Sequence, residues 1–228
     1  MMLFVRLYPR YDVDKVWSYT EKRLSKYRGN SVVPLFMSQH DYQNFVSVIL
    51  DVYDGEALID FLAEEIAPCD EIAYTRTITL IKPAFYLVPE KVTSQVYRWR
   101  VAIRVDPALY REVYDKLLRL EPPKKVHYAY ITYSFGEDDI LISLISDKKE
   151  AIRKFVSEKI EKIKGVLGVN ILLTHRTKRL ANENTWRAFE RKFAASRFIS
   201  SAKTAGEDGF DWTFMEHCAI HGALPDED

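Results

Sequence analysis

Apolar positions along this chain follow two periods, and the order of those periods repeats. Tyr133 to Lys178 reads YSFGEDDILISLISDKKEAIRKFVSEKIEKIKGVLGVNILLTHRTK. An apolar run, Ile140 to Ile145, follows the acidic turn Gly136-Glu137-Asp138-Asp139. Ala151, Ile152, Phe155, Val156, Ile160 and Ile163 then recur mostly at steps of three and four, which predicts a helix. A Gly-containing turn at 165–168 leads into a second apolar run, Val169 to Thr174. This strand, helix, strand pattern occurs earlier, over Ser38 to Lys82. There Ala57, Leu58, Phe61, Leu62 and Ile66 precede Ala151, Ile152, Phe155, Val156 and Ile160 by a constant 94 positions. Such a repeat constrains the whole architecture.

Taken in order, Met2 to Tyr8 alternates as a strand. A helix follows, with Asp12 as its N-cap, a stripe of Val13, Val16, Trp17, Leu24 and Tyr27, and Gly29 as a stop signal. Strands are expected at Ser31 to Met37, where Pro34 marks an edge or a bulge, and at Phe45 to Val52. A helix over Gly55 to Ala67, ended by Pro68, precedes a strand at Ile72 to Ile81. Phe85 to Gln95 reads as a connector. The pattern then restarts, with a strand at Arg98 to Val105, a helix opened by Pro107, and strands at Val126 to Tyr133 and Ile140 to Ile145. The order βαββαβ is that of the ferredoxin-like split unit. The expected fold is therefore α+β, with two tandem ferredoxin-like units of the dimeric α/β-barrel type. Residues 1–85 and 96–180 form the units, and 181–228 a last helix, capped by Asn184, with an acidic tail.

Bulk properties narrow the classes. The chain has 228 residues, 47% hydrophobic and 29% charged, which describes an ordinary globular protein. Its 33 basic and 33 acidic residues cancel, whereas a dedicated duplex binder carries basic excess. No stretch approaches the roughly 20 apolar residues of a membrane span, and two cysteines make no disulfide framework. A cytoplasmic location is the expectation. Charge is uneven near the end: eight Lys or Arg against two Glu over 176–203, then seven Asp or Glu and no Lys or Arg over 204–228.

The tandem units resemble the effector-binding domain of the Lrp/AsnC (feast/famine) regulators over roughly residues 2–178. The resemblance rests on Gly136, Glu137 and Asp139 in the turn before an apolar run, on Gly165-Val166, and on Thr174 in the last strand. In the first repeat Gln39, His40, Asp41 and Tyr42 hold the turn position, with Asp41 retained and the glycine lost, and Thr75 and Thr77 match the last strand. The family places a helix-turn-helix before one effector domain, whereas this chain opens on a strand and carries a second effector-like unit. The resemblance implies a sensing or assembly module without its own DNA-reading half.

By that resemblance Gly136, Glu137 and Asp139 contribute to an effector pocket, and Asp41 does so in the first repeat. A solvated hairpin turn explains the same residues more simply. Tyr128 and Tyr130 are read as one polar, aromatic face of a strand, a face that suits an interface around a ligand cavity. His217, Cys218 and His221 fall at helical spacing for a metal, although incidental surface histidines account for them more economically. The basic run from Arg176 to Arg197 could grip phosphates or be the solvated side of an amphipathic helix, and the second is simpler. No Gly-rich phosphate loop, G-x-S-x-G or H-E-x-x-H occurs. The expected function is a regulator-like module that binds a small-molecule effector, or assembles as a homo-oligomer or with a partner regulator. Cofactors, membrane association and direct specific DNA binding are not expected. The alternative is a dimeric α/β-barrel enzyme, chlorite dismutase-like with heme or monooxygenase-like. For heme, His127 and His175 are the core-placed candidates.

Overall fold

A computed structural model describes residues 1–86, 97–136 and 138–192. Glu137, most of the connector, and the tail with His217, Cys218 and His221 lie outside the described residues. The element order is β1 (Met2–Pro9), α1 (Val13–Leu24), β2 (Val32–His40), β3 (Val46–Val52), α2 (Gly55–Phe61), β4 (Ile72–Phe85), β5 (Tyr97–Val105), α3 (Tyr110–Arg119), β6 (Val126–Phe135), β7 (Ile140–Ser146), α4 (Lys149–Phe155), β8 (Val166–Arg179) and α5 (Glu183–Lys192). These are two tandem ferredoxin-like βαββαβ units of the α+β class. Among the described residues no helix is long and apolar enough to cross a membrane.

Two compact units emerge, and neither is one continuous piece of chain. The first comprises Met1–Leu80 and Thr174–Trp186. Its antiparallel strands lie in the order β4-β1-β3-β2, and residues 174–179 of β8 continue the sheet beside β2, from His40 against Thr174 to Phe36 against Arg179. One face packs Leu3, Val5, Leu7, Val48 and Leu50 against Val16, Trp17 and Leu24 of α1 and Phe61 of α2. Full burial of such side chains contributes about 1.5–3 kcal/mol each. Asp12 caps α1 by accepting from the Asp14 amide at 2.8 Å. The helix ends at Leu24, five residues before the expected glycine stop. Gly29 serves the Tyr27 ring instead, because a side-chain carbon there would fall 2.1 Å from the Tyr27 hydroxyl.

The second unit comprises Ile81–Leu173 and, among the described residues, 187–192. Residues 166–173 of β8 pair with β5, which is followed across the sheet by β7 and β6. The end of β4 runs beside β6: the Thr132 hydroxyl donates to the Ile81 carbonyl (3.1 Å) and the Tyr86 amide to the Ala129 carbonyl (2.9 Å). Its core packs Trp99, Val101 and Ile103 with Ile142 and Leu144 against Val113 and Leu117 of α3 and Ile152 and Phe155 of α4.

Two irregularities recur at the 94-residue offset. α2 widens into a π-turn over Leu62–Ile66 and α4 into one over Val156–Ile160, with i→i+5 bonds from Ala67 to Leu62 and from Glu161 to Val156. That spacing lets Phe61 and Ile66, and likewise Phe155 and Ile160, share one buried face. The pairing of β2 with β3 shifts between Pro34 and Phe36, and that of β6 with β7 between Tyr128 and Tyr130. Pro34 signals the first bulge in the sequence; nothing local signals the second. Finally, the cap of α5 is Asn182, which accepts from the Thr185 amide at 2.9 Å, rather than Asn184.

Candidate functional site

The β6–β7 turn is a structural brace. Gly136 takes a left-handed backbone (φ 143°) that a side chain would strain. Asp138 accepts from the buried Arg100 guanidinium at 3.3 Å. Both carboxylate oxygens of Asp139 are used inside the unit: one accepts from the Val105 amide at 2.7 Å, the other from the Tyr110 hydroxyl at 2.5 Å. Its own amide donates to the Ile103 carbonyl at 3.0 Å.

Strand register revises the match between repeats. Ser38 faces Ser47 and Thr132 faces Leu141, so the offset of 94 runs through both turns. Asp41 then corresponds to Phe135, and Asp139 to Phe45, so the two aspartates are not equivalent. Tyr42 stands where Gly136 does, also at positive φ (61°) and fully exposed. Asp41 lies 3.5 Å from the His175 ring, at the surface. The histidines are placed differently from the expectation: His175 is exposed and His127 half-buried, whereas His40 is buried, with Nδ1 3.2 Å from the Thr174 hydroxyl.

The bulge at Ala129 also separates the two strand tyrosines, which strict alternation had put on one face. Tyr128 pairs with Leu144 and points into the apolar core beneath the helices; Tyr130 pairs with Ser143 and takes the opposite face. Both are buried. Tyr128 lies edge-on to Phe155 (6.1 Å between ring centres) and 5.3 Å from Tyr86. Beside them Tyr114 stacks on Tyr133 at 4.0 Å, and the Tyr114 hydroxyl donates to the Lys82 carbonyl. The Tyr133 hydroxyl reaches the Tyr110 carbonyl at 3.3 Å. The hydroxyls of Tyr86 and Tyr128 are buried without a hydrogen-bond partner. Trp99, across the sheet on the same rung through Leu144, likewise buries its ring N–H without an acceptor. A buried polar group left unsatisfied costs roughly 1–3 kcal/mol, and native interiors normally supply it with water or a ligand.

Burial alone lifts the Tyr86 phenol above its ordinary value; burial, with the neighbouring Tyr86, lifts that of Tyr128. Burial pushes Tyr133 up to about 12 and Tyr114 well above its ordinary value. All four are neutral at physiological pH, so they can donate and accept hydrogen bonds but not act as phenolate bases. Among the described residues no three of His, Cys, Asp or Glu come together as a metal site. Sequence reasoning singled out Tyr128 but missed Tyr86, placed at the edge of the connector. Carrying the Pro34 bulge forward by 94 positions would have put Tyr128 on the helix side.

No family model matches the chain, and no curated protein matches it in sequence. Solved structures share its fold. The siroheme decarboxylase NirDL is similar with a TM-score of 0.53 and 11% identity, over 90% of this chain and 79% of that one. A variant chlorite dismutase from Candidatus Nitrospira defluvii matches with a TM-score of 0.50 and 12% identity, over 76% of this chain and 90% of that one. AsnC of E. coli matches about half of this chain, 53%, and 72% of its own, with a TM-score of 0.31 and 17% identity.

Proposed function

We propose that this protein is a small-molecule-sensing module of the Lrp/AsnC regulator type, without catalytic activity of its own, and that its effector is read in the second unit between β6 and the helices. The observation that carries this reading is the pair of buried, unpartnered hydroxyls of Tyr86 and Tyr128. Two neutral phenols among apolar side chains can satisfy an uncharged ligand with two polar atoms and an apolar body. They offer no base and no nucleophile of lowered pKa, which favours binding in this reading. The effector state would be passed on by assembly, with a second copy or a partner regulator, rather than by direct reading of DNA. Gly136 and Asp139 act in this proposal as turn residues, not as contacts of the seat.

Tyr128→Phe tests it. Deleting an unsatisfied hydroxyl should leave the free protein as stable or more so, by up to about 1–3 kcal/mol. The same variant should lose most of the thermal shift produced by an uncharged ligand found in an open screen. At 100 times its dissociation constant such a ligand stabilises the parent by about 2.7 kcal/mol. A variant that is clearly less stable, or that keeps the full ligand response, refutes the seat.

A further inference from the structure

The first unit carries a cationic groove that neither its core nor the proposed effector seat uses. It has a volume of about 530 Å3 and runs between the end of α1, the segment after it and the π-turn of α2. Lys22, Arg23, Lys26 and Arg28 line it together with the phenols of Tyr19 and Tyr27, and Glu65 is its one carboxylate. That carboxylate is already taken, by the Arg23 guanidinium at 2.5 Å. Arg28 donates to the Ser25 carbonyl at 2.9 Å and the Tyr27 carbonyl at 2.7 Å, contacts that hold the guanidinium in place without neutralising it. Lys22 and Lys26 stand one turn apart, a spacing at which like charges repel.

Cations in the last turn of a helix are ordinarily explained by its dipole. That explanation serves Lys22 and Arg23, but Lys26 and Arg28 lie beyond Leu24, the last residue of α1. The aromatic floor is fixed. Tyr19 donates to the Glu65 carbonyl at 3.1 Å, and Tyr27 lies edge-on to Phe61 with ring centres 5.0 Å apart, against the side-chain-free Gly29. Nor does the fold require the arrangement. In the second unit α3 is followed by Leu120-Glu121-Pro122-Pro123, and Lys159 stands 94 positions after Glu65.

We infer that this groove binds a diphosphate group, with Lys22, Lys26 and Arg28 on the phosphate oxygens and Arg23 held in reserve by Glu65. A volume of a few hundred cubic ångströms suits a nucleotide-sized ligand, and the phenols of Tyr19 and Tyr27 line the groove beside the cations, an aromatic wall suited to a heterocycle. A nucleoside diphosphate therefore fits better than a bare anion.

Calorimetric titration of the full chain with inorganic pyrophosphate and with ADP tests this. One saturable site per chain is expected for both, tighter for ADP, and weaker as salt rises from low to physiological concentration. Lys22→Ala/Lys26→Ala should weaken both at least tenfold without changing the melting temperature. Lys22→Arg/Lys26→Arg should retain binding. A control that removes equal charge elsewhere, Lys124→Ala/Lys125→Ala, should bind as the parent does. No saturable binding of either probe overturns the inference. So does a Lys22/Lys26 double alanine variant that binds like the parent, or a control variant that loses as much.

Discussion

Position 45 in the first unit and position 139 in the second occupy the same corner of the same fold, yet one holds phenylalanine and the other aspartate. The reason lies on the neighbouring strand. Pro9 pairs with Ile72 at a register shift, and Val105 pairs with Val166 at the corresponding shift, so Pro9 and Val105 are counterparts. Val105 has an amide hydrogen that must find an acceptor, and Asp139 supplies it. Proline has none, so no acceptor is needed, and Phe45 fills the space by packing on Tyr8 at 5.0 Å beneath the Arg6 guanidinium at 4.8 Å. Tyr8 in turn stacks on Tyr74 at 4.4 Å. One corner is closed by rings and a cation, the other by a carboxylate shared among donors. A turn that resembles a ligand-binding motif is thus accounted for by a backbone requirement.

Substitutions at the two corners should separate these mechanisms. Phe45→Ala should cost most, about 3–5 kcal/mol for a buried ring, read as a fall in urea midpoint. Asp139→Ala strands two donors and should cost roughly 2–4 kcal/mol. The decisive comparison is the double variant Val105→Pro/Asp139→Phe, which copies the first corner and should recover part of that loss; no recovery would break the equivalence. Gly165→Ala should cost about 1–3 kcal/mol. That glycine has φ +100°, and an added carbon would lie 2.9 Å from the Leu109 side chain, whereas its counterpart Glu71 needs no such conformation. The smallest effect is a pH response. Burial raises the Tyr133 phenol to about 12. A phenol whose pKa is higher folded than unfolded stabilises fully below its unfolded value, near pH ~10, and loses that contribution as pH rises through about 12. Stability should fall across that window, and Tyr133→Phe should flatten the fall in urea midpoint.

Much of the fold was legible because the repeat imposes a period: Phe61 and Phe155, or Ile66 and Ile160, identify each other at a fixed spacing. The face assignment of Tyr128 and Tyr130 was not, because Ala129 carries no mark of the extra residue it adds to the strand. The hydroxyl of Tyr86 is notable only because it is buried, a property set by distant segments that local pattern cannot encode. Asp139 was visible as chemistry but not as duty, although the contrast of Pro9 with Val105 was printed in the sequence. The groove at Lys22 and Lys26 escaped notice because helix-end lysines are common and become a site only when Tyr27 and the π-turn are placed beside them.

The discontinuous make-up of the first unit also constrains how the protein can be made. Its sheet and core include Thr174–Trp186, and Leu180 belongs to the same apolar cluster as Leu3 and Val16. A ribosome that has just released residue 80 must therefore add more than a hundred others before that unit can close. At about 5–20 residues per second this is a wait of roughly 5–20 s. Nascent chains stalled before residue 174 should be cut readily by protease within the first repeat, and chains released past 186 should resist. Expressing residues 1–85 alone would then yield a fragment with an open sheet edge along β2, inviting strand exchange between copies.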